Sequence, residues 1–105
     1  MPAGRRITLP KKATEIVTFG FDFASDLVQG EVLFGASVSC MVYSGLDPTP
    51  SSVILGSPAV SGTQILQKFQ GGIEGVVYKV LCTATTSDGN TPAMSMYLAI
   101  ITVVP

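Results

Sequence analysis

The most regular signal in this chain is an alternation of apolar and polar positions with a period of two, the mark of β-strands whose two faces see different surroundings. Over residues 31–43, Val32, Phe34, Ala36, Val38, Cys40 and Val42 fall on one face, and Leu33, Gly35, Ser37, Ser39, Met41 and Tyr43 on the other. Over 15–23, Val17, Phe19, Phe21 and Phe23 alternate with Ile16, Thr18, Gly20 and Asp22, giving an aromatic inner face. Over 76–86, Val76, Tyr78, Val80, Cys82 and Ala84 share one face. The last run, 93–104, behaves differently. From Met94 to Val104 only Ser95 and Thr102 are clearly polar, so both faces seek cover. A small sandwich hides one face of each strand and wets the other, so a strand apolar on both faces needs something to lie against. That asymmetry points to assembly rather than catalysis.

The punctuation between these runs is Gly and Pro. Ser87-Asp88-Gly89-Asn90 separates the last two strands, and Asp-Gly between apolar runs is a strong hairpin signal because both residues tolerate positive φ. Residues 44–52 form a loop around Pro48 and Pro50. Shorter strands are expected at Val53-Ile54-Leu55, at Ala59-Val60-Ser61 and over 63–70, with a turn at Gly56-Ser57-Pro58. Gly35 marks either a bulge or a close approach of backbone. Tyr78, just after the Gly71–Gly75 crossing, stands where a tyrosine corner would stand, its hydroxyl bonding backbone upstream; the alternative is a core aromatic with a wet tip. No segment has a helical period. The expected fold is all-β, an immunoglobulin-like antiparallel β-sandwich of about seven strands, with an N-terminal arm over 1–12 and the sandwich over 13–105.

Composition narrows the function. The chain has 105 residues, enough for one core without a metal or disulfide scaffold. Its charged fraction is 12%, about half that of ordinary soluble proteins, so much of the surface is expected to be covered by partners. No apolar run approaches the ~18 residues that span a bilayer, and no secretory leader is expected, because Lys11, Lys12 and Glu15 interrupt the segment after Arg5 and Arg6. Arg5, Arg6, Lys11 and Lys12 are four of the six basic residues, while residues 13–105 set Lys68 and Lys79 against seven carboxylates. The arm is either solvated or docks on an acidic neighbour, a second copy included. Nucleic acid is a poor fit, since no aromatic residue is interleaved with those charges.

The usual chemistry is absent. There is no histidine, which removes the commonest general base and metal ligand. Cys40 and Cys82 do not make a zinc site; they form an inter-sheet disulfide of the immunoglobulin kind or sit as two buried thiols, and the missing Trp favours the thiols. The carboxylates cluster at strand ends and turns, where Asp partners its own backbone. Gly71-Gly72 through Gly75 precedes a strand rather than a helix and lacks a Gly-Lys-Ser ending, so it fails as a phosphate cradle. No enzyme activity and no cofactor are expected.

The order Glu15-Ile16-Val17-Thr18-Phe19-Gly20-Phe21-Asp22-Phe23 with Ser25-Asp26-Leu27 and Gly30-Glu31-Val32 resembles the opening of small immunoglobulin-like virion proteins of tailed phages and prophages, often described as fiber–tail adaptors. The runs 71–78 and 82–89 are similar to their second half. The resemblance implies a non-enzymatic structural component of the particle, a tail or fiber adaptor in a symmetric assembly, with capsid decoration as the alternative. Its partners would be tail, portal or fiber components and copies of itself, with no nucleic acid and no membrane, in a virion assembled in the bacterial host cytoplasm. A reading from another class is a free-standing binding module acting through loops 44–52 and 87–92. For the structural role, the expected interface is Tyr97, Leu98, Ile100, Ile101 and Val103 of the last strand with Arg5, Arg6, Lys11 and Lys12 as docking arm. The competing expectation is that the last strand is central and covered by its own fold.

Overall fold

In a computed structural model, residues 7–102 are described, and they form seven strands in two sheets. The strands are β1 (Thr8–Lys12), β2 (Val17–Asp22), β3 (Leu33–Ser44), β4 (Ile54–Ser61), β5 (Gln64–Phe69), β6 (Val77–Thr86) and β7 (Ala93–Ile101), with single 3-10 turns at Ala24–Asp26 and Pro50–Val53. One sheet has the order β1-β7-β6-β3 and the other β2-β5-β4. All pairs are antiparallel except β1 with β7, which run parallel. The first strand crosses to the sheet of the last, and so departs from the all-antiparallel expectation.

The core lies between the sheets. Val76, Tyr78, Val80, Cys82 and Ala84 of the β6 segment are buried as their alternation requires, opposite Phe21 and Phe23 and the β5 side chains Ile65 and Phe69. The β6–β7 turn closes through Gly89, whose φ of +82° is open only to glycine without strain, while Asp88 stays at negative φ. Glu31 then pins this hairpin. Its Oε2 accepts hydrogen bonds from the Thr86 hydroxyl and from Asn90 Nδ2 at 3.0 Å, and its Oε1 accepts from Val28 N–H at 3.0 Å. Those bonds, the Thr86 hydroxyl first, hold the Glu31 carboxyl below the usual carboxylate range.

β3 corrects one expectation. Phe34, expected inward, is 73% exposed, and Leu33, expected outward, is buried. A register shift between Leu33 and Gly35 inserts one residue against β6, and one extra residue exchanges the two faces of a strand. From Ala36 onward the expected inner face is inward again. Gly35 therefore marks a bulge. Cys40 and Cys82 are free thiols in neighbouring strands of one sheet, opposite Val80 and Val38 respectively, so an inter-sheet bridge is excluded by topology. Burial pushes both thiols up to about 11.

At the opposite end stands the tyrosine corner. The Tyr78 hydroxyl accepts from Ile73 N–H at 3.1 Å, five residues upstream, and donates to Asp47 Oδ2 at 2.6 Å. Asp47 Oδ1 also accepts from Thr49 N–H at 2.9 Å. The loop after β3 is thus tied to the crossing before β6.

The two short strands expected on either side of Gly56-Ser57-Pro58 are one strand, β4, with a register break between Leu55 and Ala59. Gln67, fully buried on β5, faces that break, and its Nε2 donates to Leu55 O and Gly56 O at 3.1 Å and to Lys68 O at 3.0 Å. A side-chain amide here supplies donors that a regular ladder would have taken from backbone.

Candidate docking surface

β7 is flanked by β6 on one side and β1 on the other. Its inward residues Met96, Leu98 and Ile100 are core, and its outward residues Ser95, Tyr97 and Ala99 are half-buried. The second apolar face is thus explained first by position, because a central strand has neighbours that shade its outer side chains from both flanks. Leu98 and Ile100, expected at an interface, belong to the core.

Lys11 is also spoken for. It is fully buried, and its Nζ donates to Gly71 O at 2.6 Å and Lys12 O at 2.9 Å. Burial lowers its pKa, with the Glu15 charge acting in the opposite sense. Lys11 therefore fastens β1 to the Gly71–Gly72 segment rather than reaching outward. Arg5, Arg6 and Val103 lie outside the described residues. Of the expected set, Lys12, Tyr97 and Ile101 remain on the outer surface of the β1-β7-β6-β3 sheet, and the register places Lys12 beside Ile101 and Thr8 beside Tyr97.

That surface has a centre. Tyr97 sits opposite Lys79, which sits opposite Met41 on β3. Tyr43 reaches across β6 to meet Tyr97 edge-to-face, with ring centroids 4.8 Å apart and an interplanar angle of 69°. Met41, Tyr43, Leu81 and Ile101 are exposed around this pair. Among the described residues facing outward on these four strands, the charged ones are Lys12 and Lys79, with no carboxylate. Aromatic and Met side chains in a face with few charges have the composition of an interface core.

Sequence reasoning missed Tyr43, Met41, Leu81 and Lys79 as members of the surface. The alternation put Tyr43 and Met41 on the outer face of β3, but nothing in the sequence says that only β6 separates β3 from β7. Among the described residues no group of three or more His, Cys, Asp or Glu is placed to hold a metal ion. The carboxylates with altered acidity, Glu31 and Asp47, spend their oxygens on Thr86, Asn90, Val28, Tyr78 and Thr49.

No curated protein matches the chain. A family model described as "podophage GP4 fiber-tail adaptor protein gp77" matches residues 11–99, which takes in β2 through β6 and most of β7. The chain belongs to that family of fiber-tail adaptor proteins.

Proposed function

We propose that the chain is a non-enzymatic virion protein that joins a fiber to the tail of a podophage-like particle, as one copy in a symmetric homo-oligomer. The observation that carries this reading is the outer face of the β1-β7-β6-β3 sheet, where the Tyr43–Tyr97 pair is bordered by Met41, Leu81 and Ile101 and the charged groups among the described residues are Lys12 and Lys79. Such a face fits a partner with an apolar centre and carboxylates at its rim, because unlike charges set orientation and association rate while buried aromatics hold the complex. Lys12 adds positive charge beside Ile101, and Arg5, Arg6 and Val103 stay in this reading as members of the expected docking set. Nucleic acid and lipid have no part in this reading, and incorporation would precede release of the particle from the host cytoplasm.

The test is complementation of particles lacking the protein. Wild-type chain should restore fibers seen by electron microscopy. Tyr97→Ala combined with Lys79→Glu should bind the tail or the fiber more weakly, by about thirtyfold or more if Tyr97 is an anchor. Full fiber occupancy with that double variant would sink the assignment of this face.

A further inference from the structure

The two sheets have four edges, β1, β3, β2 and β4. Natural sandwiches blunt their edges with prolines, charges, short strands or irregularities, because an open ladder invites another strand. Three of these edges carry such devices. β1 has Pro10 in its middle, with Lys11 pointing inward and Lys12 following. β4 has Pro58 within its register break. β2 is six residues long and ends at Asp22.

β3 carries such devices only at its ends. It runs for twelve residues, LFGASVSCMVYS, without a charge or a proline, and its register shifts fall only between Leu33 and Gly35 and between Val42 and Ser44. The stretch Gly35–Val42 between them is regular. Its inward side chains Ala36, Val38, Cys40 and Val42 are only half-buried, whereas the β6 residues opposite them, Ala84, Cys82, Val80 and Tyr78, are fully buried. Inward apolar side chains of the other edges, Leu9, Val17, Phe19 and Ile54, are half-buried as well, so what sets β3 apart is its length without a charge or a proline.

The order of side chains on β3 also names what would pair with it. Laid antiparallel against a second β3 with Ser39 facing Ser39, the outer face sets Met41 against Ser37 of the other copy. The inner face sets Val42 against Ala36 and Cys40 against Val38. Large meets small on the outer face, apolar meets apolar on the inner one, and no like charges meet. A surface that complements itself about one residue is what a two-fold dimer requires.

We infer that β3 is the edge by which two copies of this chain join, antiparallel about Ser39, merging their four-stranded sheets into one continuous sheet. This rests on the symmetric self-association within the proposed function and assigns its contact. The Tyr43–Tyr97 surfaces of the two copies then lie on the same side of the merged sheet.

The experiment is sedimentation equilibrium of the full chain over a concentration series, beside Ser39→Lys and Ser39→Glu. Ser39 is exposed on the outer face, so at dilutions where the wild type is monomeric each variant should keep the wild-type melting temperature. The wild type should dimerise. Each variant alone should show a dissociation constant raised about tenfold or more, because two like charges would stand directly opposite. An equimolar mixture of the two should dimerise again. Variants that associate as the wild type does would overturn the β3 contact, and so would a wild type that stays monomeric throughout. Fiber attachment in the complementation assay is read separately, so a monomer that still attaches fibers removes this inference and leaves the adaptor reading standing.

Discussion

Replacing Tyr78 by Phe removes one oxygen from a side chain that otherwise stays in place, and the structure says what that oxygen does. It donates to Asp47 Oδ2 at 2.6 Å and accepts from Ile73 N–H at 3.1 Å. A hydrogen bond to a charged group contributes about 1.5–3 kcal/mol, and a buried donor left unpaired costs about 1–3 kcal/mol. Asp47 is half-buried and the Ile73 amide only partly covered, so water can replace part of each bond, and the low end applies. The expected loss is about 2–3 kcal/mol, or roughly 10–20 °C in melting temperature for a domain of this size. Thermal and urea unfolding followed by circular dichroism would measure it. Because Asp47 shares the interaction, Asp47→Ala should cost less in the Tyr78→Phe background than alone, by about 1 kcal/mol or more. Alkali supplies a second signature. Burial, and then the hydrogen bond to Asp47, push the Tyr78 phenol up to about 12 from the ordinary 10. A raised acid pKa means that the unfolded chain releases its proton first, so this stability is whole below pH 10 and drains away as pH rises toward 12. Tyr78→Phe should lack that loss, while the decline from the two thiols remains in both proteins. A Phe variant within ~2 °C of wild type, with unchanged alkaline behaviour, would refute the corner as a stabilising device.

Three further outcomes follow from the same kind of reasoning. Gln67→Glu replaces a donor by a carboxylate facing the Leu55 and Gly56 carbonyls, and should cost about 3 kcal/mol or more by urea titration at neutral pH, part of it recovered on acidification as the carboxyl takes up a proton. Gly72→Ala would place a Cβ 2.6 Å from Ile100 Cδ1 at a φ of +98°, so it should cost about 2–4 kcal/mol. In an Ile100→Ala background, which lacks both the Cδ1 and the Cγ1 that the new Cβ would meet, Gly72→Ala should cost less than in the wild type, and an unchanged cost would refute the clash. For Lys11→Met, which keeps the stem and discards the charge, the informative quantity is the difference from wild type against pH. A lowered Lys pKa means that the unfolded state holds more protons as pH rises toward 10.5, so wild type should gain stability on the variant over that range, and a constant difference would contradict the buried ammonium.

The parts of this fold legible in the sequence are those where local pattern and long-range packing ask for the same thing. The inward set of β6, the hairpin at Gly89, the aromatic face of β2 and the Tyr78 corner all lie where alternation and turn chemistry put them. The misreadings share a cause. A bulge changes the parity of a strand without changing its composition, so Phe34 and Leu33 exchange faces although every residue is a good strand former. β4 looked like two pieces because Gly56-Ser57-Pro58 is turn chemistry, and the donor that keeps the strand whole comes from Gln67, eleven positions beyond Gly56. Lys11 reads as a surface charge because lysine is almost never buried, and the Gly71 carbonyl, sixty positions away, joins the Lys12 carbonyl in making its burial tolerable. The docking surface was half visible: Lys12, Tyr97 and Ile101 are on it, but Tyr43 joins them only because the sheet order puts one strand between β3 and β7.

The buried polar groups among the described residues lie away from the proposed docking face and the β3 edge. Glu31 ties down the hairpin end, Tyr78 and Asp47 tie down the other end, and Lys11 and Gln67 stiffen two of the blunted edges. Among the described residues, the outer face of the four-stranded sheet has no carboxylate, and β3 has neither a charge nor a proline. A single face centred on two tyrosines offers only a few anchoring side chains, and a lone copy would hold a fiber weakly. Joining copies through β3 brings two such faces into one plane, and the second attachment then forms at the high effective concentration set by the first. On this view the missing charge on β3 is no accident of a hydrophobic composition. A lysine at Ser39 would protect the monomer, as Pro10 and Lys11 protect β1, and it would do so by abolishing the contact that lets weak faces act together.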